Sequence, residues 1–225
     1  MTTQQKTVEL QTWISTPFGG KYNSYNPSLS DYELSDLCSS VAHINRFNGS
    51  AGHLPNVAAH LITCYEVATV LYDKPKYAIF AAIHDLHEAF IGDIATPIQR
   101  AIRYSVNDYS DVIAPPDFIK VLKLMKNNID KNIIESLFSN AIQWEEYNDF
   151  VHSKEFIAID EAVMCWEANK CLTDSEWTKD FFPNSMSVGK LVSGKYLSEI
   201  YDTKKTYAEN CADTLFGILE VWTNR

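Results

Sequence analysis

The chain has 225 residues, of which 46% are hydrophobic and 21% charged, an ordinary composition for a globular protein. This length and composition predict one folded domain over residues 1–225 and exclude a disordered chain. The 29 acidic residues outnumber the 19 basic ones, so a net charge of −10 would repel a nucleic-acid polymer from most of the surface. A single nucleotide remains a reasonable partner, because a few local cations can bind its phosphate.

The cysteines and the lengths of the apolar runs indicate the cellular compartment of the protein. The N-terminus is polar and no apolar run approaches the roughly 18 residues of a membrane span, so we expect a soluble, cytoplasmic protein without a membrane partner. The cysteines are odd in number and form no C-x-x-C pair, which favours reduced thiols: Cys38, Cys64, Cys165, Cys171 and Cys211.

The first predicted elements are an arm and a helix. Residues 13–37 mix aromatic side chains with Gly, Asn, Ser and Pro, which predicts a short irregular or hairpin N-terminal arm. Leu37, Val41 and Ile44 recur at spacings of four and three and predict a helix that ends near Asn48.

Two strongly apolar helices follow. Asn56 is the predicted N-cap of a helix that runs to about Leu71, and its apolar stripe places His60 on the inner face. Residues 76–90 are rich in Ala and Leu and predict a single buried helix that stops at Gly92.

The rest of the chain also favours helices. Pro97 begins a further segment, and Pro115 and Pro116 mark a loop. An apolar helix over residues 155–172 contains Asp160. Helical spacing also occurs over residues 118–129, 132–142 and 196–222. We predict an all-α fold, with a core over about residues 12–168 and a C-terminal helical extension over residues 169–225.

A histidine and an acid stand together within the second apolar helix. His84 and Asp85 are adjacent among apolar residues, where an unpaired carboxylate is costly to desolvate. Alone, such a pair is more often a hydrogen-bonded helix-end pair than a metal site. His60 and Asp160 also lie on apolar helices, however, and two acids balance the charge of one divalent ion. Mixed nitrogen and oxygen donors suit Mn, Co, Fe or Zn better than Mg or Ca.

Two further acidic residues follow His84 and Asp85 within the next eight positions. Glu88 is four residues after His84 and should project from the same helix face, while Asp93 follows Gly92 and should flank the site. Acids in such places can orient or deprotonate a water, or protonate a leaving oxygen. The alternative is that both acids only cap or solvate a helix end.

Other candidate residues give weaker signals. His87 and Glu88 begin an H-E-x-x-H pattern, but Ile91 stands where the final histidine is required, so a zinc protease is excluded. Cys64 is four residues after His60 and could face the same site, although a buried thiol in an apolar stripe usually belongs to the core. We interpret His43, His53 and His152 as structural or exposed.

The order of these motifs resembles a known family. RFNG at 46–49, NVAAH ending at His60, HDLHEAFIGDIATP at 84–97 and the helix of Asp160 resemble the HD-domain phosphohydrolases. The resemblance is to the bacterial and bacteriophage branch of 5′-deoxynucleotidases and dNTP triphosphohydrolases, and it covers about residues 12–168. It implies one divalent metal ion (Mn, Co, Zn, Fe or Mg) held by His60, His84, Asp85 and Asp160.

The resemblance also implies a reaction. Glu88 and Asp93 would act around the attacking water, Arg46 would face the phosphate, and Phe47 and Pro97 would shape the nucleotide pocket. The expected substrate is a deoxynucleoside 5′-monophosphate or a dNTP such as dATP, and the expected protein is a homo-oligomer of bacteriophage origin. A catalytically silent HD module that binds a nucleotide or a partner protein is the alternative; its usual mark, a missing ligand, is absent from the sequence.

Overall fold

The computed structural model describes residues 13–19, 21–23, 32–49, 55–108, 118–172, 191–192 and 205–223. Within these ranges the protein is all-α apart from one small antiparallel hairpin, so the predicted fold class is confirmed. The strands are β1 (Trp13–Ser15) and β2 (Lys21–Asn23). The helices are α1 (Leu34–Ala42), α2 (Val57–Leu71), α3 (Pro75–Ile83), α4 (Glu88–Ile91), α5 (Thr96–Asp108), α6 (Phe118–Ile133), α7 (Trp144–Val151), α8 (Lys154–Cys171) and α9 (Tyr207–Leu219).

The hairpin confirms the predicted N-terminal arm and anchors it to α4. Ile14 pairs with Tyr22 across the two strands. The Tyr22 ring is buried, with its centroid 4.1 Å from that of Phe90. Its hydroxyl donates a hydrogen bond to the carbonyl oxygen of Ala89. This bond satisfies a carbonyl that a one-turn helix cannot pair internally.

Helix α1 ends at Ala42, so the prediction that it continues to about Asn48 was wrong. Asn45 forms an isolated bridge with Asn56, and the Arg46 amide donates to the Pro55 carbonyl at 2.9 Å. The short 3₁₀ turn Phe47–Gly49 has positive φ at all three residues, a conformation that cannot continue a right-handed helix. The turn places Arg46 beside the start of α2.

Helix α2 matches its prediction and lies at the centre of the fold. Asn56 accepts a hydrogen bond from the Ala59 amide at 2.8 Å, and the helix ends at Leu71. Nearly every side chain from position 57 to 68 is buried, because α3, α8 and α9 pack around α2. A helix covered in this way must be apolar on most of its surface, and His60 lies in its first turn.

The predicted helix over residues 76–90 is broken, which corrects that prediction. Helix α3 ends at Ile83 and α4 begins at Glu88; between them the backbone makes i to i+3 bonds. His84 contributes to this break because its Nδ1 donates to the carbonyl of Ala81 at 2.8 Å. In a continuous helix that carbonyl would accept from the backbone amide of residue 85, so side chain and backbone compete for it.

The later helices largely follow their predictions. Thr96 begins α5, with Pro97 in its first turn, and α8 carries Asp160. Helix α6 continues directly into a π-helical turn, Ile134–Phe138, so two predicted segments form one run. Helix α7 was not predicted. The predicted loop at Pro115 and Pro116 lies outside the described residues.

The C-terminal helix belongs to the same core as the rest. Thr206 caps α9 by accepting from the Glu209 amide at 3.2 Å, and the helix packs against α1 and α2. Leu215 and Leu219 are fully buried. The predicted helical segment at 196–204 lies outside the described residues. No helix in the described part of the chain is long and apolar enough to cross a membrane.

Candidate metal centre

His60 is fully buried between two acids that come from α8. Its Nδ1 lies 3.3 Å from both carboxylate oxygens of Glu167, and its Nε2 lies 3.0 Å from Oδ1 of Asp160. A neutral imidazole has one N–H, and donation from Nδ1 to Glu167 leaves the Nε2 lone pair facing Asp160. That arrangement is favourable only if a proton or a metal ion lies between the two atoms.

His84 faces the same acid from the turn after α3. Its Nδ1 donates to the backbone at Ala81, which leaves Nε2 as the unprotonated nitrogen. This Nε2 lies 3.2 Å from Oδ2 of Asp85 and 3.8 Å from Oδ1 of Asp160. The ring centroids of His60 and His84 are 5.3 Å apart, close enough for both imidazoles to bind one ion.

One compact donor group therefore forms where α2, the His84 turn and α8 meet. Donor atoms of His60, Cys64, His84 and Asp160 all lie within 4.8 Å of one another, and these residues could hold a metal ion. The Cys64 Sγ is 3.6 Å from the His60 Nε2, so this thiol lies at the site as well as in the core. Asp85, the fourth predicted ligand, lies beside this group through its contact with His84.

Asp160 is the donor most open to the surroundings. Its side chain is 43% exposed, whereas that of His60 is fully buried. The exposed part of Asp160 lines a cavity of about 320 Å³ together with His84. A small molecule in that cavity can therefore approach the donor group from the side of Asp160.

The electrostatics of the site favour bound positive charge. Burial and Arg46 lower the pKa of His60, but Cys64, Glu167 and Asp160 together raise it well above the ordinary value. Burial raises the pKa of Asp85, but His84 and His87 outweigh it and hold that pKa well below the ordinary value. The acids thus stay ionised in a buried place, where a cation stabilises them.

Glu88 and Asp93 lie near the donor group but outside it. Glu88 is 5% exposed, and among the described residues its Oε2 has no hydrogen-bond partner. Burial, with Asp85 and Asp93 adding to it, raises the pKa of Glu88 well above the ordinary value. Glu88 reaches the site through the tight turn that begins at Asp85, rather than one α-helical turn after His84 as predicted.

The predicted phosphate and nucleotide residues line a single larger cavity of about 780 Å³. Arg46, Phe47, Asp93 and Pro97 all contribute to its wall. The guanidinium of Arg46 lies 6.0 Å from the centre of the Phe47 ring. A mostly apolar cavity with one or two cations fits a base or sugar next to a phosphate.

Glu167 is the main site residue that the sequence interpretation missed. Its Oε2 accepts from the Arg46 Nε at 3.0 Å, while both its oxygens face His60. It is almost fully buried, and it links the metal donors to Arg46, which lines the larger cavity. Its position seven residues after Asp160, on the same face of one helix, was a signal that could have identified it.

Of the remaining histidines, two are exposed, one is buried and one lies outside the described residues. His43 and His152 are exposed and bond through Nδ1 to backbone carbonyls, as interpreted from the sequence, whereas His53 lies outside the described residues. His87 is buried, and its Nδ1 lies 3.0 Å from Oδ1 of Asp130. The sequence had suggested no role for His87 beyond the rejected protease motif.

Fold and site together define an all-α protein with a buried group of His, Cys and Asp side chains that could hold a metal ion. No protein-family model matches the chain. The chain is similar to the uncharacterized protein YfdR of Escherichia coli (strain K12), with 30% identity over 86 residues. That match covers 38% of this chain and 46% of YfdR, so the chain spans about half the length of this relative.

Proposed function

We propose that this protein is a divalent-metal-dependent phosphohydrolase that removes phosphate from a small nucleotide, as its resemblance to the HD-domain phosphohydrolases implies. One observation carries the proposal: the Nε2 atoms of His60 and His84 face the same Asp160 oxygen, at 3.0 and 3.8 Å, inside a mostly buried donor group. With Asp85 beside them, these residues offer two nitrogens and two carboxylates to one divalent ion.

The donor set fits a metal ion on chemical grounds. Each imidazole has its Nδ1 held by an acceptor, Glu167 for His60 and the Ala81 carbonyl for His84, which is the usual arrangement around metal-binding histidines. A divalent ion bound there would supply Lewis acidity and lower the pKa of a bound water to near neutrality. Mn, Co, Fe and Zn fit this mixture of donors best.

Side chains of this protein would transfer the protons and bind the phosphate and the nucleoside. Glu88 and Asp93 are the acids available to accept a proton from the attacking water and return one to the leaving oxygen. Arg46 lines the larger cavity with a guanidinium that Glu167 fixes through Nε, and its other nitrogens can donate to a phosphate. The aromatic ring of Phe47 and the ring of Pro97 would contact the nucleoside in that cavity.

The charged residues that line the smaller cavity favour one length of phosphate chain in the substrate. Lys123 and Lys126 line it, next to His84 and Asp160. The charge of Lys126 favours the ionised form of Asp85 and opposes the burial that raises the pKa of Glu88, so it acts at the site. Two lysines beside the donor group favour a substrate with more than one phosphate, such as dATP, over a monophosphate.

The direct test is a panel of ribo- and deoxyribonucleoside mono- and triphosphates with Mn, Co, Mg or Zn, followed by product identification. A 5′-deoxynucleotidase releases orthophosphate, and a dNTP triphosphohydrolase releases tripolyphosphate. We expect Glu88→Gln to keep the ion at the His60 group and to lose turnover. Nucleotide binding without any hydrolysis would instead support the silent HD module.

The resemblance supports two further parts of the proposal. Members of this branch form homo-oligomers, and we propose the same for this chain, in the cytoplasm of a bacterium or of a phage-infected cell. Light scattering after size-exclusion chromatography measures the assembly directly. A monomeric mass at micromolar concentration would contradict this part and leave the chemistry untouched.

A further inference from the structure

A second group of potential metal donors lies next to the first. Asp85, His87 and Glu88 each offer one donor atom within 4.8 Å of the others. The Nε2 of His87 lies 3.8 Å from Oδ1 of Asp85. The side chains of His87 and Glu88 are about 5% exposed, so this group is well shielded from solvent. The tight turn from His84 to His87 brings these three side chains together, because its i to i+3 bonds set Asp85 and Glu88 on one side.

Two atoms of this group are buried without a hydrogen bond. Within the described part of the chain, His87 Nε2 and Glu88 Oε2 both lack a partner. The Nδ1 of His87 donates to Oδ1 of Asp130 at 3.0 Å, so Nε2 carries a lone pair. With His87 neutral and Glu88 ionised, a lone pair, an orphaned carboxylate oxygen and the Asp85 carboxylate therefore meet with no donor between them. Buried acceptors in such a group need a shared proton or a shared cation.

Asp130 gives His87 the surroundings of a metal ligand. A carboxylate that binds one ring nitrogen of a histidine fixes the tautomer and directs the other nitrogen at an ion. His60 has the same arrangement with Glu167 in the first donor group. Arg46 and Lys126 are the cations that act on Asp85 and Glu88, yet neither orphaned atom bonds to either of them.

We propose that Asp85, His87 and Glu88 bind a second divalent cation, and that Asp85 bridges the two ions. Oδ2 of Asp85 faces His84 of the first group at 3.2 Å, and Oδ1 faces His87 of the second. The nitrogen and oxygen donors suit Mn, Fe, Co or Zn. The bridge rests on the proposed function, since it requires the first ion; the second donor group itself does not. Two adjacent ions can stabilise both the attacking and the leaving oxygen of a phosphoryl group.

The test measures metal content and magnetic coupling as well as activity. Metal-free protein is titrated with Mn²⁺ by calorimetry, the bound metal is counted by mass spectrometry, and electron paramagnetic resonance records whether the ions couple. We expect two Mn²⁺ per chain with a coupled spectrum. His87→Ala should bind one ion with an uncoupled spectrum, and Asp130→Asn should weaken the second site about 10–100-fold. His43→Ala, which removes an exposed imidazole that belongs to neither group, should behave as wild type.

The outcomes separate the two proposals. One Mn²⁺ per chain with nucleotide hydrolysis intact overturns the second site and leaves the proposed function standing. If two coupled ions bind but no nucleotide is hydrolysed, the second site is supported and the proposed function is overturned. Two uncoupled ions contradict the bridge, and no bound ion contradicts both proposals. If His87→Ala does not fold, by circular dichroism, Asp130→Asn and the wild-type stoichiometry decide the question.

Discussion

His60 and His84 are both buried beside Asp160, but different parts of the molecule orient their rings. Glu167, more than a hundred residues away on α8, holds His60 through a side-chain contact. A backbone carbonyl three residues earlier holds His84. The orientation of His84 therefore depends on a local turn, whereas that of His60 depends on the packing of α8 against α2. The α2 side of the site should accordingly be the one that single side-chain replacements disturb.

We expect the largest loss of metal binding and activity from a substitution at Asp160, which faces both His60 and His84. Asp160→Ala removes the oxygen that faces both imidazoles, so bound metal should be lost. Under the proposed function, kcat/KM for the best nucleotide should fall by about 10³-fold, equivalent to about 4 kcal/mol of transition-state stabilisation. Mass spectrometry of the metal and steady-state kinetics measure the two losses. Asp149→Ala, which removes an exposed acid from α7, is the control, and equal activity in both variants would remove Asp160 from the site.

Glu167→Gln tests the difference between the two histidines. It removes the charged acceptor of His60 and the partner of Arg46, while the Ala81 carbonyl still holds His84. We expect metal affinity to fall about 10–100-fold, as for other partners of metal-binding histidines, together with a higher KM. Calorimetric titration with Mn²⁺ measures the affinity. Glu155→Gln changes an exposed acid on the same helix and should match wild type; an unchanged affinity in Glu167→Gln would show that α8 does not orient His60.

The same acid should shape the acid stability of the metal-free protein. Burial raises the pKa of Glu167, but Arg46 and His60 outweigh burial and hold it below the ordinary value. A lowered folded pKa stabilises the protein above the unfolded-state pKa of about 4.3, and this stability is lost as the pH falls through the folded value.

Urea unfolding across this acidic range should therefore give Glu167→Gln a flatter pH dependence than wild type. Asp85 and Asp160 also have lowered pKa values, so the acid sensitivity should be reduced rather than abolished. Parallel pH profiles for the variant and wild type would contradict the ion-pair assignment.

The smallest expected effect concerns the start of α2. Asn56→Ala removes the side-chain cap on the Ala59 amide and should lower the free energy of unfolding by about 1 kcal/mol. Thr69→Ala removes an exposed hydroxyl later in the same helix and should change it by less than about 0.5 kcal/mol. Urea denaturation compares the two. Equal values would mean that packing alone fixes the position of His60.

Sequence patterns predicted the parts of this fold that depend on local features. The N-cap at Asn56, the limits of α2, the hairpin arm and the helix of Asp160 were predicted because capping and apolar periodicity are local. The end of α1 and the break at His84 were not predicted. Both depend on hydrogen bonds that compete with helix continuation, one from the Arg46 amide and one from the His84 ring.

In the candidate site, too, local features were predicted and long-range contacts were not. The spacing of His60, His84 and Asp160 in apolar helices indicated a shared ion, and the structure brings all three together. Glu167 and Asp130 were missed because each acts on a histidine far away in the chain, and only tertiary packing pairs them. Cys64 was assigned to the core, and its thiol is both buried and beside His60.

The hydrogen bond from the Tyr22 hydroxyl to Ala89 ties the beginning of the chain to the residue that follows Glu88. Shortening the protein at its amino end would therefore remove one of the contacts that hold the one-turn helix carrying this acid, although no residue of the hairpin belongs to either donor group. An amino-terminal truncation chosen for crystallisation would remove a buried ring from the core together with this hydrogen bond. Expression boundaries should keep both strands of the hairpin.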